Sequence, residues 1–263
     1  MADKLKLKNV APDDSSEDEN VVESELDLRL EKLKLGPKKK LLVLCLGGLL
    51  VHRVHVRDSH TVRGLKADVA YNKLLVFKRP FCTDFIKFCF ERFEVGVWSS
   101  ARNRNIDAAL SCVTGPGMRS KLAFVWGQDE RTESGFYCLR KEEKPLFLKE
   151  LKDLWEKKYH SLPFDKLIVI EVIFLFFCYM QTDTAIFPQP YKKHDVKDTF
   201  LGPNGELRGF LEGLADADDV RTYVKEHRIG QSPITPSHPD WNYYSKIVRH
   251  FGKEEESAES ASK

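Results

Sequence analysis

Leu41-Leu42-Val43-Leu44-Cys45-Leu46-Gly47-Gly48-Leu49-Leu50 is the stretch on which the fold turns. Nothing in its first six residues suits a solvated surface, so it reads as a strand buried on both faces, as in the interior of a parallel sheet. The glycine pair then ends the strand in a tight turn. Immediately upstream stand Pro37-Lys38-Lys39-Lys40. They resemble a minimal nuclear import signal, but charged residues at the mouth of an apolar strand serve equally as gatekeepers against edge aggregation, and that is the simpler reading.

Working outward, residues 51–62 alternate valines with His52, Arg53, His55 and Arg57, the pattern of a half-exposed β-ribbon. His52, His55 and His60 could be imagined as metal ligands, but nothing thiol-rich or carboxylate-rich accompanies them, and exposed ribbon positions account for them more simply. Strand and helix signals then alternate: a strand at 74–77, a helix from Pro80 through Phe93, a strand at 95–98 and a helix at 105–112. A strand at 122–126, a helix at 145–158 with Pro145 in its first turn and a strand at 167–170 follow. Residues 207–224 predict another helix. A last one, at 239–251, places Trp241, Tyr244, Ile247 and Val248 on one face as core. Buried strands separated by amphipathic helices predict an α/β fold, a mainly parallel central sheet with helices on both faces and a small β-ribbon flap inserted.

The chain has 263 residues, 42% of them apolar, enough for one large domain with tails. Residues 1–36 are expected to be a disordered acidic tail with a short amphipathic helix carrying Leu26, Leu30 and Leu33. Residues 37–251 form the domain, and 252–263 a second disordered tail. Lys and Arg number 42 against 40 Asp and Glu, a net charge of +2 that creates no field favouring nucleic acid. The six cysteines follow neither a C-x-x-C spacing nor a disulfide framework and read as free thiols of a reducing compartment. The acidic start fits no leader peptide, which favours nucleus or cytoplasm over the mitochondrion. The longest apolar run, residues 167–180, falls short of the ~20 needed to span a bilayer and contains Glu171, so no membrane span is expected.

In an open parallel sheet the residues just after each strand decide the chemistry, because ligands bind at the strands' carboxyl ends. Those places are Cys45 to Leu49, Trp98 to Ala101, the region around Lys144, and Glu171 to Phe174. The strand before Cys45, Lys78-Arg79-Pro80-Phe81, Trp98-Ser99-Ser100-Ala101, Lys144 and Thr184-Ala185-Ile186-Phe187-Pro188 together resemble the phosphatase domain of the polymerase-tail and small C-terminal-domain phosphatases. This FCP/SCP-type, NIF-like domain belongs to the haloacid dehalogenase (HAD) superfamily. The ending Ser232-Pro233-Ile234-Thr235-Pro236 is similar to a plant-type subgroup.

The resemblance implies an aspartate nucleophile, a second acid two positions later, and magnesium held by these and a further acidic pair. Here those four places hold Cys45, Gly47, Glu171 and Val172. It also implies that Ser99 hydrogen-bonds the phosphoryl group and that Lys144 neutralises its charge; a non-catalytic member is expected to retain weak phosphopeptide affinity through Ser99, Lys144 and Arg102. Magnesium gains little from a thiol, glycine or valine, so Glu171 alone is expected to hold it weakly. Without the aspartate no acyl phosphate forms, and without the second acid no side chain protonates the leaving oxygen. Thiolate catalysis of the C-x5-R kind fails as well, since the sixth residue after Cys45 is Val51.

The expectation is a catalytically degenerate protein that binds a protein or phosphoprotein partner, with no cofactor, or magnesium if active. Two alternatives stand beside it. One is an active magnesium-dependent serine/threonine phosphatase of the polymerase-tail type. The other is a protein similar to the receptor subunit of the mitochondrial inner-membrane import translocase. The segment Ile173-Phe174-Leu175-Phe176-Phe177-Cys178-Tyr179-Met180 is apolar where relatives are polar, a composition that suits burial or a partner surface.

Overall fold

The computed structural model describes residues 39–115, 117–139, 141–160, 162–172, 182–193, 195, 197–231 and 236–261. The expected acidic tail at 1–36 and the apolar segment at 173–180 lie outside these.

Five parallel strands form the central sheet: β1 (Leu41–Leu44), β5 (Glu94–Trp98), β6 (Phe124–Trp126), β9 (Leu167–Ile170) and β10 (Ala185–Ile186), in the order β10-β9-β1-β5-β6. The opening stretch is the middle strand. Leu41, Leu42, Val43 and Leu44 are wholly buried, each fully buried leucine contributing roughly 1.5–3 kcal/mol of transfer energy. Because side chains alternate across a strand, Leu42 and Leu44 enter one core and Leu41 and Val43 the other. The first core is shared with the helices α1 (Cys82–Arg92), α2 (Asn103–Val113), α4 (Glu206–Asp216) and α5 (Val220–Glu226). On the opposite face Leu151, Leu154 and Trp155, in and beside the short helix α3 (Lys152–Lys157), pack on Trp98, Phe124, Leu167 and Val169. The α/β class, the parallel sheet and helices on both faces follow the sequence reading.

The flap is an antiparallel sheet of three strands rather than a single ribbon. β2 (Val51–His55) pairs with β4 (Leu74–Lys78), which pairs with β3 (Val69–Tyr71). The ribbon expected over 51–62 therefore ends at His55, and residues Val56–Val62 coil into 3-10 turns. The strand at 74–77, expected in the central alternation, belongs to this flap.

A second departure concerns the expected helix at 145–158. Residues Lys141–Leu148 form β8, the return strand of a hairpin with β7 (Thr132–Cys138), and helix begins only at Lys152. Leu146 and Leu148 are buried at a spacing of two, the strand period, and proline sits where the ladder is already irregular. α6 (Trp241–Ala261) covers this hairpin through Tyr244, Ile247 and Phe251 and runs past residue 251, where the sequence reading stopped it. The single helix read over 207–224 is two, broken before Asp219, whose carboxylate accepts from the Thr222 amide at 2.7 Å and caps α5.

Candidate functional site

The parallel register sets Leu44 opposite both Val97 and Ile170, so Cys45, Ser99 and Glu171 emerge along one carboxyl edge. The Cys45 amide continues the ladder by donating to Ile170 O at 3.0 Å, Ser99 N donates to Trp126 O at 2.8 Å, and Glu171 N to Ile186 O at 3.1 Å. After Cys45 the chain closes on itself: the Gly48 amide donates to Val51 O at 2.7 Å, and the amides of Leu50 and Val51 share Leu46 O. Gly48 has φ +83°, a left-handed conformation natural to glycine, and any Cβ there would press on Val172 at 2.9 Å. Beneath the turn, the buried Arg79 donates to Leu49 O and forks onto Asp198 through Nε and Nη2 at 2.9 and 2.7 Å.

Cys45 is buried, and its thiol is pushed up to about 12, first by burial and then by the charge of Glu171. Its Sγ lies 3.7 Å from Gly47 O. At physiological pH it is a neutral thiol, the opposite of an activated nucleophile. Ser99 is fully buried and its Oγ accepts from the Ala101 amide at 3.1 Å, which orients the hydroxyl along the turn after β5.

Glu171 is buried and folded back, Oε1 accepting from the Val172 amide at 3.0 Å. Its Oε2 meets Lys149 Nζ in a salt bridge and stands 3.7 Å from Arg131 Nη2. Burial drives both cations' pKa values down while Glu171 pulls them back up. Lys149 Nζ also lies 5.7 Å from the ring centre of Trp98, which packs edge-on against Trp126. Arg53, from β2 of the flap, is partly buried and close enough to Arg131 for its charge to lower the latter's pKa. Its Nη2 lies 2.6 Å from where a Cβ on Gly47 would stand.

The structure thus gathers Cys45, Gly47, Ser99 and Glu171, all named from sequence. The backbone of Lys144 lies within β8 and its side chain is outside what is described, while the lysine against Glu171 is Lys149, just beyond that strand's end. Arg102 is exposed at the N-cap of α2. Lys149 was hidden by the misread helix, although the alternation Leu146, Leu148 ending at a lysine carried the signal. Arg53 and Arg131 come from the flap and the start of the hairpin, where no local pattern marks them.

Magnesium requires several oxygen ligands. Among the described residues around Cys45 only Glu171 offers a carboxylate, and two cations engage it. Gly47 and Val172 offer no donor side chain, and no group of three His, Cys, Asp or Glu side chains suited to a metal occurs among the described residues. This donor set does not fit the ion.

The family model described as NLI interacting factor-like phosphatase matches residues 40–221. An uncharacterized FCP1 homology domain-containing protein of Schizosaccharomyces pombe is 28% identical over 124 residues, 47% of this chain and 47% of that protein. The match thus spans about half the length of that curated relative. Among solved structures, the fission yeast RNA polymerase II CTD phosphatase Fcp1 bound to beryllium fluoride aligns with TM-score 0.41 at 14% identity, covering 92% of this chain and 70% of that one. A second, of Fcp1 as an essential RNA polymerase II CTD phosphatase, aligns with TM-score 0.40 at 15% identity over the same shares. With the family model covering the flap, the sheet and every strand end that builds the crevice, the chain belongs to the NLI interacting factor-like phosphatases, a family of the haloacid dehalogenase superfamily.

Proposed function

We propose that this chain is a catalytically degenerate member of its family that works as a protein or phosphopeptide interaction module. The observation that carries the reading is the charge of the crevice. Where magnesium-dependent chemistry needs converging carboxylates, the described residues place Arg53, Arg131 and Lys149 about one glutamate and a neutral thiol. Ser99 and Lys149 keep a hydroxyl and an ammonium at the edge where a phosphoryl group would sit, which supports recognition without turnover. A nuclear or cytoplasmic setting goes with it, supported by the free thiols Cys45, Cys82, Cys89, Cys112 and Cys138.

The test is hydrolysis of a phosphoserine peptide in magnesium by the full chain, beside a Ser99→Ala, Lys149→Met double variant. Equal background rates are expected, and a parent rate far above the double variant sinks the proposal. A gain-of-function arm carries Cys45→Asp, Gly47→Asp and Val172→Asp together with Arg53→Ser, because an aspartate at 47 would otherwise be captured by Arg53 as an ion pair.

A further inference from the structure

The flap carries charge out of proportion to its size. Residues 51–78 hold six Arg and Lys against two Asp, a net charge of +4, while the whole chain nets only +2. Among the described residues Arg57, Arg63, Lys66 and Lys73 are exposed and enter no ion pair. The Asp68 carboxylate is taken up by the Lys78 amide, which donates to it at 2.8 Å. Two of the cations stand at the end of the flap away from the crevice. Val51 pairs with Lys78 beside the Gly47 turn; four residues on, roughly 13 Å along the strand, His55 pairs with Leu74, and Leu74 with Tyr71. There the Val56 amide donates to Lys73 O at 2.8 Å, which sets Val56 and Arg57 against the turn between β3 and β4. Both residues of that turn are left-handed, Asn72 at φ 43° and Lys73 at φ 62°. A two-residue hairpin turn of this hand favours Asn followed by Gly, so an ammonium is held where glycine would fit the backbone with less strain. Strain kept at an exposed position implies that the side chain it presents has a use. Val56 and Tyr71, 48% and 41% exposed, add large apolar surface at the same end. The Asn72 side-chain amide donates to Asn105 Oδ1 at 3.4 Å and braces the turn on α2, whose first turn carries Arg104 and no acid.

We propose that this end of the flap, formed by Val56, Arg57, Tyr71 and Lys73, docks an acidic segment of a partner protein that carries an apolar residue among its carboxylates. The surface lies apart from the crevice and uses none of its residues. It rests on the interaction-module reading and names the partner's chemistry. Charge complementarity selects the occupant: exposed cations with no ion pair of their own attract carboxylates, speed encounter and fix register. Val56 and Tyr71 supply the apolar contact that such a segment's own apolar residue covers, and tyrosine is a favoured interface side chain. Nucleic acid suits the surface less well. Single strands stack on successive aromatic rings, and of the flap's Phe and Tyr side chains only Tyr71 is exposed, Phe77 being fully buried. An anionic lipid surface would need apolar side chains that protrude, whereas more than half of Val56 and of Tyr71 is covered.

The test is binding to the full chain, followed by fluorescence anisotropy, of a short labelled peptide of Glu, Asp and Leu. Beside it run the counterpart of Gln, Asn and Leu, a single-stranded oligonucleotide, and vesicles of phosphatidylserine and phosphatidylcholine. The acidic peptide is expected to bind in preference to all three, and more weakly as salt rises. Lys73→Gly should weaken it by about twofold to fivefold, the range of one exposed ion pair, with Tm equal to the parent's or higher because glycine relieves the left-handed backbone. Combining it with Arg57→Gln should bring the loss to about tenfold, and Lys73→Arg should keep the affinity. Equal binding of the neutral peptide, unchanged affinity in the double variant, or a preference for the oligonucleotide or the vesicles overturns the docking surface. So does a lower Tm in Lys73→Gly, which would make the lysine structural. The hydrolysis assay is scored separately: no peptide binding with no turnover removes this surface and leaves the interaction-module reading, while turnover in a chain that binds the peptide removes that reading and leaves the surface.

Discussion

Cys45 occupies the position of greatest consequence in the crevice and does so as a protonated thiol. Its raised pKa means the native state holds the proton more tightly than the unfolded chain does. That contribution is complete below the ordinary thiol value near 9.0 and is lost as pH rises from there through about 12. Stability measured by denaturant titration should fall between pH 9 and 11, and Cys45→Ala should flatten that slope. At neutral pH, alkylation of Cys45 by iodoacetamide followed by mass spectrometry should be slow in the native protein and fast only in denaturant. Individual residues were unevenly legible in the sequence. Cys45, Gly47, Ser99 and Glu171 sit directly after apolar runs, and a strand's end locates its successor. Arg53 and Arg131 reach the crevice from other sheets, and no periodicity in their own segments records where such side chains finish.

Two elements carry most of the support for that crevice. The turn after β1 rests on Arg79, which stacks on Phe200 and Tyr191 and forks onto Asp198. Removing one member of a buried pair leaves the other charge uncompensated, so Arg79→Ala or Asp198→Ala should each cost about 3–5 kcal/mol by chemical denaturation. In β5, a Cβ on Gly96 would lie 2.3 Å from the Phe124 ring of the neighbouring strand, so Gly96→Val should destabilise by about 1–3 kcal/mol or more. The central strands were readable because their apolar runs are short, continuous and bounded by charge or glycine. The hairpin of β7 and β8 was not, since Lys141-Glu142-Glu143-Lys144 is polar enough to pass for a helix entry and Pro145 is a common first-turn residue. Its strand character comes from tertiary packing, with Leu146 and Leu148 buried under α6.

At the scale of the whole molecule, β1 joins two cores that lie on opposite faces of one sheet. Leu42→Ala opens the side packed by α1, α2, α4 and α5, and should cost about 2–5 kcal/mol; Val43→Ala, on the α3 side, loses fewer methyl groups and should cost less. Because one strand serves both, circular dichroism and aromatic signals are expected to report a single coincident transition in each variant. The class of fold was legible because that strand's pattern permits little else, while the flap's third strand and the break before α5 depended on turn and capping detail. The Trp98 indole, wedged edge-on against Trp126 with the Lys149 ammonium 5.7 Å away, has an optical consequence. Indole emission responds to nearby charge, so the intrinsic fluorescence of this protein doubles as a voltmeter for its crevice, reading any anion that arrives without an attached dye.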